Sequence, residues 1–97
     1  MAKYFYVYIL CSEKYGTLYI GMTSNLAKRL WEHQNEVIEG FTQKYKVHKL
    51  IYFEKYDSFE PAALREKRLK AWKRDWKIRL IEEHNPHWLD LSAGISA

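Results

Sequence analysis

The sequence predicts a small α+β domain, in which a three-stranded and mainly antiparallel sheet is flanked by helices in the order ββαβαα. Three observations support this fold class: an aromatic and β-branched segment near the start, a glycine-containing turn directly after it, and two successive helical patterns in the last third. Ninety-seven residues suit one domain, which we expect to cover 1–97 with a tail from about residue 90.

The first two strands are predicted to form a hairpin. Residues 4–10 are nearly all aromatic or β-branched, and the turn SEKYG follows, with Gly16 able to adopt a positive φ. A second short strand is predicted over about 17–20. Cys11 is the only cysteine, so we expect no disulfide partner and no cysteine-based zinc site, and the residue is predicted to be buried in the strand.

A first helix is predicted over about 25–36, with Thr23 or Ser24 as its N-cap. Its buried stripe is predicted to consist of Leu26, Ala27, Leu30 and Trp31. A separate polar face, spaced i, i+4 and i+8, contains Asn25, Arg29 and His33. Such a face is typical of solvated helix surface. The alternative is half of a phosphate-binding site, because an arginine fork matches phosphate oxygens and a histidine can accept a proton near neutral pH.

The second half of the chain is predicted to begin with a loop around Gly40 and a third strand over about 46–56. Asp57 or Ser58 is predicted to cap the next helix, in which Pro61 is tolerated because it lies in the first turn. This order of elements completes the sheet before the last helices begin.

The last helical pattern is predicted to break once near 72–76, giving two helices. It should end at Asn85, because a residue before proline avoids the helical region. The remaining tail is predicted to pack partly, through Trp88 and Leu89, with frayed last residues.

The basic residues are distributed unevenly. The net charge is +4, but eight of the sixteen lysines and arginines lie within 65–79, where only Glu66 and Asp75 oppose them. Such a run is often a solvated helix face. With about equal weight it predicts a surface that binds nucleic-acid phosphates, with Lys70 and Lys73 as candidate contacts.

The sequence contains no apolar run near the roughly 18 residues that a membrane span needs. The apolar part of its start is too short and too aromatic for a convincing secretory signal. A cytoplasmic location without a membrane partner is therefore predicted.

Glu66 stands among basic neighbours, in the order Arg65-Glu66-Lys67-Arg68, and flanks the apolar stripe of its helix. Its spacing favours an ion pair with Lys70, worth only about 0.3–0.5 kcal/mol. The alternative is that this carboxylate faces a basic groove and binds one hard divalent ion, with waters and a phosphate completing the shell. On spacing alone the ion pair is favoured.

Taken together, these residues resemble the GIY-YIG nuclease superfamily, and most of all its small stand-alone bacterial branch. The YIG element is intact at residues 19–21, and residues 6–8, which read YVY, stand for the GIY element. Tyr8 and Tyr19 are eleven residues apart, and Arg29 follows Tyr19 by ten, as in the family pattern. The resemblance covers nearly the full chain and implies a GIY-YIG-like fold.

Three later positions also match the family. His33 matches a histidine one turn beyond the arginine, and Glu66 matches the metal-binding glutamate on a later helix. Asn85 matches a late asparagine, which by the resemblance would position the phosphate or a supporting loop.

The resemblance implies a DNA endonuclease that uses one divalent cation, Mg²⁺ or Mn²⁺, held by Glu66. Arg29 would stabilise the transition state, and either Tyr8 or Tyr19 would activate water, with Tyr19 preferred, while His33 would assist. We expect DNA to be cut without strong sequence specificity, in repair or processing, and RNA is left open as a substrate.

Two departures from the family pattern leave alternatives open. Tyr6 stands where the family has a glycine, and Met22 stands where some members have a lysine that lowers a tyrosine pKa. The alternative function is a non-catalytic nucleic-acid-binding module on the same scaffold. A third is an adaptor whose basic helix binds an acidic protein. The oligomeric state is not predicted.

Overall fold

The computed structural model describes residues 3–35, 37 and 44–95. The elements in chain order are β1 Phe5–Cys11, β2 Leu18–Thr23, α1 Leu26–Gln34, β3 Lys49–Tyr56, α2 Phe59–Ala71, α3 Arg74–His84 and a 3₁₀ helix Leu91–Gly94. The predicted α+β class and the order ββαβαα are confirmed. No helix within the described ranges has the length and apolar character that crossing a membrane requires.

The central strand of the sheet is β1, and the strand order is β2-β1-β3 with both pairs antiparallel. Alternate residues of β1 therefore face opposite layers. Val7, Ile9 and Cys11 are buried in one core cluster together with Leu69 of α2 and Ile81 of α3. The predicted burial of Cys11 is confirmed.

The other face of β1 packs against α1. Tyr8 and Leu10 form a second buried cluster with Leu26 and Leu30, and Leu91 of the 3₁₀ helix packs against it. The sheet therefore lies between two helical layers, and Tyr8 faces the layer that contains α1.

The start of α1 differs from the prediction. The N-cap is Asn25, whose side-chain oxygen accepts the Lys28 N–H at 3.1 Å, and neither Thr23 nor Ser24 has this role. The predicted strand before it was also too short, because pairing between β2 and β1 continues as far as Thr23 with Tyr6. The helix ends at Gln34, two residues before the predicted end.

The buried stripe of α1 was predicted only in part. Leu26 and Leu30 are buried, but Trp31 is 58% exposed and Ala27 is only half-buried. The third buried residue is His33. The sheet covers the face spaced i, i+4 and i+7, and a residue one position after Leu30 is rotated about 100° away from that face.

The break between the last helices is confirmed. Trp72, the C-cap of α2, has an extended backbone with φ −65° and ψ 150°, and α3 ends at Asn85 before Pro86 as predicted. Ser58 precedes α2 as predicted, but its side chain makes no capping hydrogen bond.

The tail packs partly, as predicted, but through only one of the two predicted residues. Trp88 is buried as expected, whereas Leu89 is 62% exposed. Leu91 and Ile95 also pack against the α1-side cluster, and the predicted fraying of the last residues falls on 96–97, outside the described residues. The predicted loop around Gly40 lies outside the described residues.

Candidate active site

Two tyrosines face the same side of the sheet from adjacent strands. Tyr8 on β1 pairs with Gly21 on β2, and Tyr19 lies two residues before Gly21, on the same face. The two tyrosine ring centroids are 6.3 Å apart. A Cβ atom at Gly21 would lie 2.5 Å from the Tyr8 hydroxyl oxygen and 3.1 Å from Cε1 of Tyr19. Gly21 is therefore needed because the two rings occupy the space that any side chain would require.

His33 completes this group from α1. Its Nε2 lies 3.1 Å from the Tyr8 hydroxyl oxygen, and its ring centroid is 5.9 Å from that of Tyr8 and 5.3 Å from that of Tyr19. The side chain is 1% exposed, and within the described part of the chain its Nδ1 has no hydrogen-bond partner. We call Tyr8, Tyr19 and His33 the tyrosine–histidine cluster.

The buried pair of Tyr8 and His33 is neutral at pH 7. Burial raises the pKa of Tyr8 well above its usual value, and the nearby Tyr19 acts in the same direction. Burial lowers the pKa of His33 to about 4, and the charge of Arg29 acts in the same direction. His33 is therefore not a base that titrates near neutral pH, which is the property the sequence alone suggested.

Arg29 lies at the border between the cluster and solvent. Its side chain is 41% exposed, and its Nε is 3.5 Å from Oε1 of Glu32. It lines a cavity of about 170 Å³ at the start of α1, which we call the Arg29 cavity. A partly exposed ion pair of this kind contributes less than about 1 kcal/mol, so a phosphate group can replace Glu32 as the partner of the guanidinium.

Glu66 brings a carboxylate from α2 to the same region. Its side chain is 24% exposed, and the predicted ion pair with Lys70 is confirmed, with 3.4 Å between Oε2 and Nζ. After burial and Tyr19, the next charges that act on the pKa of Tyr8 are Arg29, which lowers it, and Glu66, which raises it. Two oppositely charged side chains from different helices therefore act on one buried hydroxyl.

The donor set at Glu66 fits a sparsely coordinated divalent ion. Among the described residues, no group of three or more His, Cys, Asp or Glu is arranged to hold a metal. Mg²⁺ in phosphate-handling sites is commonly held by one or two carboxylates, with waters and substrate phosphates completing an octahedron. The partly exposed Glu66 carboxylate suits such a site, whereas an all-protein cage is not available in this part of the chain.

Asn85 lies outside the cluster. Its Nδ2 donates to the carbonyl oxygens of Ile51 at 3.0 Å and Leu89 at 2.9 Å, and its Oδ1 accepts the Leu89 N–H at 3.0 Å. The residue is 4% exposed, and Ile51 belongs to the core cluster on the opposite face of the sheet from Tyr8. Of the two roles that the resemblance implies, these contacts fit support of a loop and not contact with a phosphate.

Some residues of the basic run at 65–79 form ion pairs or hydrogen bonds within the protein. Arg65 donates from Nε and Nη2 to both carboxylate oxygens of Glu54, over 2.9–3.1 Å, and the hydroxyls of Tyr52 and Tyr56 donate to the same carboxylate. Although burial acts in the opposite direction, these hydrogen bonds, led by those from Arg65, lower the pKa of Glu54. Arg65 is therefore a structural residue.

Two more basic side chains have structural contacts. Nη2 of Arg74 donates to the carbonyl oxygens of Tyr15 and Gly16, at 2.7 Å each, and so ties α3 to the β1–β2 turn. Lys77 is half-buried and its Nζ donates to the Lys70 carbonyl oxygen at 3.4 Å. The remaining members of the run are exposed, namely Lys67, Arg68, Lys70, Lys73 and Arg79. The surface predicted to bind phosphates is thus narrower than the sequence indicated, and it keeps Lys70 and Lys73.

The two departures from the family pattern lie on opposite faces of the sheet. Met22 packs against the core cluster on the α2 and α3 side, opposite the face of Tyr8 and Tyr19. Tyr6 packs against the α1-side cluster, with its ring centroid 6.4 Å from that of Phe53. Both side chains therefore have packing roles.

Gly21 was predicted only as part of the YIG element, and its packing role was not. The contact of Gly21 with Tyr8 depends on the pairing register of β1 and β2. Glu32 was passed over, although its i,i+3 spacing from Arg29 is a recognisable ion-pair signal.

Comparison with known proteins gives one family. The family model described as the GIY-YIG catalytic domain matches residues 4–79. A UPF0213 protein of Syntrophus aciditrophicus is 40% identical over 81 residues, covering 81% of this chain and 91% of the relative. A UPF0213 protein of Clostridium perfringens is 39% identical over 77 residues, covering 78% and 81%.

One solved structure is also similar. The solution NMR structure of a UPF0213 protein from Bacillus halodurans superposes with a TM-score of 0.57 at 25% sequence identity. The match covers 90% of this chain and 92% of the other. The fold described above is therefore shared with that protein over nearly its whole length.

Proposed function

The chain belongs to the GIY-YIG catalytic domain family, and from that premise we propose that it is a metal-dependent endonuclease that hydrolyses DNA phosphodiester bonds. One observation carries the proposal. The tyrosine–histidine cluster is approached from α1 by Arg29 and from α2 by Glu66, and both charges act on the Tyr8 hydroxyl. Phosphodiester hydrolysis needs these groups: a cation for the phosphate, a ligand for a metal, and polar oxygens that hold water.

In this proposal Arg29 binds the scissile phosphate in the Arg29 cavity. Its planar fork matches two phosphate oxygens, and it stabilises the charge that develops on them in the transition state. The exchange requires Arg29 to leave Glu32, which a partly exposed pair permits at small cost.

Of the two tyrosines, Tyr19 is the better placed to orient the attacking water and relay its proton. Tyr19 is half-buried, whereas Tyr8 is only 1% exposed. Tyr8 keeps its proton because burial raises its pKa, and its hydrogen bond to His33 positions both rings. Tyr8 and His33 are thus positioning residues behind Tyr19, with Asn85 supporting the fold at a distance.

Glu66 is the proposed ligand of one Mg²⁺ or Mn²⁺, which would supply Lewis-acid stabilisation of the phosphate and the leaving oxygen. Lys70 lies in the last turn of α2, and Lys73 lies just after that helix. Both are exposed, so they suit contacts with the DNA backbone that carry no sequence information. Cutting without strong sequence specificity, a role in DNA repair or processing and a cytoplasmic location stay predictions.

The test is a cleavage screen over single-stranded, duplex, nicked and branched DNA with Mg²⁺ or Mn²⁺. Glu66→Ala is expected to abolish cleavage. Glu60→Ala is the matched control, because Glu60 is an exposed glutamate on the same helix.

Folded protein that cuts none of these substrates, yet binds them with an affinity that falls as salt rises, would identify the non-catalytic nucleic-acid-binding module instead. Cleavage that survives in Glu66→Ala would remove Glu66 from the metal site. Substitution of RNA for DNA in the same assay decides between the two nucleic acids.

A further inference from the structure

A large aromatic side chain is exposed on the helix that presents Arg29. Trp31 is 58% exposed, and it borders a cavity of about 610 Å³ between α1 and the 3₁₀ helix. We call this cavity the Trp31 groove. Its walls are mainly apolar, formed by Ala27 and Leu30 on one side and Ala93 and Ile95 on the other. An exposed tryptophan beside an apolar groove of this size is typical of a ligand site.

The Trp31 groove and the Arg29 cavity share two lining residues. Asn25 and Lys28, at the start of α1, line both. Lys28 and Arg29 place two positive charges at these cavities, and among the described residues Glu32 is the one acidic side chain that lines either of them. A polymer with an anionic backbone and flat apolar groups would match this pair of sites, with its anions at the cationic cavity and a flat group at the aromatic groove.

We propose that the Trp31 groove binds an unpaired nucleobase of the DNA strand whose phosphate occupies the Arg29 cavity, with the base stacked on the Trp31 indole. The inference rests on the proposed function for the identity of that strand. It adds that the substrate has unpaired nucleotides beside the cleavage site, since a base held in a duplex cannot stack on a protein side chain. Gln34 and Lys28 provide polar groups at the groove for the base edge.

Binding by catalytically disabled Glu66→Ala protein separates this inference from turnover. The probe is a short oligodeoxynucleotide containing the fluorescent base 2-aminopurine, used single-stranded and as the matching duplex. Adding Trp31→Ala is expected to weaken single-strand binding by about 5- to 150-fold, the range for loss of one stacked base, and duplex binding by less than about twofold. Trp31→Phe should keep most of the affinity.

The matched control is Trp76→Ala, because Trp76 is 50% exposed but lies on α3, away from the groove. Quenching of 2-aminopurine should be lost with Trp31→Ala and kept with the control. An equal loss for single strand and duplex, or no loss, overturns the inference. The inference is also overturned if Trp31→Ala changes only the dimerisation of the protein, because the groove would then be a contact with a second copy of the chain.

The two proposals fail separately. Cleavage by the unaltered protein, together with Trp31→Ala binding that is unchanged, leaves the nuclease proposal in place and overturns the groove. Trp31-dependent binding of single strands without cleavage by the unaltered protein supports the groove and overturns the nuclease proposal.

Discussion

The Tyr8 hydroxyl and Nε2 of His33 lie 3.1 Å apart, joining the central strand to α1 across 25 positions of sequence. Both side chains are 1% exposed, so neither polar group can turn to water for a replacement partner. This hydrogen bond joins α1 to the sheet beside the packing of Leu26 and Leu30, on the helix that also contains Arg29.

Removing one partner of this bond should destabilise the fold. Tyr8→Phe leaves a buried ring nitrogen of His33 without its partner, which costs about 1–3 kcal/mol in the free energy of unfolding. Combined with His33→Leu in a double-mutant cycle, the coupling energy should be about 0.5–3 kcal/mol, measured by urea denaturation. The same cycle with the exposed His87, as His87→Gln, should show additivity. Additivity within about 0.3 kcal/mol for Tyr8 and His33 would contradict the bond.

Stability should fall as the pH drops from 7.5 to 5. Burial lowers the pKa of His33 in the folded protein to about 4, while the unfolded chain has the ordinary value of about 6.5. Between these values the unfolded state binds more protons, so stability is full above about pH 6.5 and is lost as pH falls toward 4. The expected loss by pH 5 is on the order of 2 kcal/mol.

The pH effect is checked by urea denaturation at both pH values. His33→Gln should flatten the dependence, and His87→Gln should leave it unchanged. Glu54 acts in the same direction but only at lower pH, because its lowered pKa starts from 4.5. If the free energy of unfolding of His33→Gln still falls with pH as in the unaltered protein, another group causes the effect.

Gly21 should not tolerate a methyl group. In Gly21→Ala the new Cβ would meet the Tyr8 hydroxyl at 2.5 Å and Cζ at 2.6 Å, so the tyrosine ring must move. We expect a loss of about 1–3 kcal/mol in the free energy of unfolding, as for other overpacked cores. Gly94→Ala is the control, because no atom of the described residues beyond its chain neighbours lies within 4 Å of a Cβ there, and it should change stability by less than about 0.5 kcal/mol. Equal stabilities for the two variants would show that the Tyr8 ring is not held there.

Arg29→Ala should lower the cleavage rate on the order of 10²–10³-fold while leaving the fold intact. Its ion pair with Glu32 is partly exposed, so stability should change by less than about 1 kcal/mol. Arg29→Lys keeps the charge without the fork and should restore only part of the rate. Lys14→Ala, at an exposed lysine of the β1–β2 turn outside the basic run, should stay close to the unaltered protein. A loss below about threefold for Arg29→Ala would remove Arg29 from the active site.

Arg65 should matter for stability and not for DNA binding. Arg65→Ala leaves the mostly buried Glu54 carboxylate without its cation, at a cost on the order of 2–4 kcal/mol in the free energy of unfolding. Lys67→Ala, at an exposed neighbour, should cost less than about 0.5 kcal/mol. In binding titrations Lys73→Ala should reduce the salt slope by about one, and Arg65→Ala should leave it unchanged. A reduced slope for Arg65→Ala would return that residue to the DNA-binding surface.

The order and type of the elements could be predicted from the sequence, because these depend on local patterns. Each of these signals lies within one strand or a few helical turns: the composition of the first strand, the helix end at Asn85-Pro86, and the apolar spacing of the helices. The motif spacing likewise identified Tyr8, Tyr19, Arg29, His33 and Glu66 as candidates for one site.

Which helix faces are buried, and which charged side chains form ion pairs inside the fold, could not be predicted from the sequence. A helix presents apolar groups on more than one side, so whether Trp31 or His33 enters the core depended on the sheet against which α1 packs. Arg65 and Lys67 are both basic residues of the same run in the sequence. Arg65 has a structural role because its side chain pairs with Glu54 on β3. Side-chain burial and pairing are set by contacts between distant segments, and no local pattern contains that information.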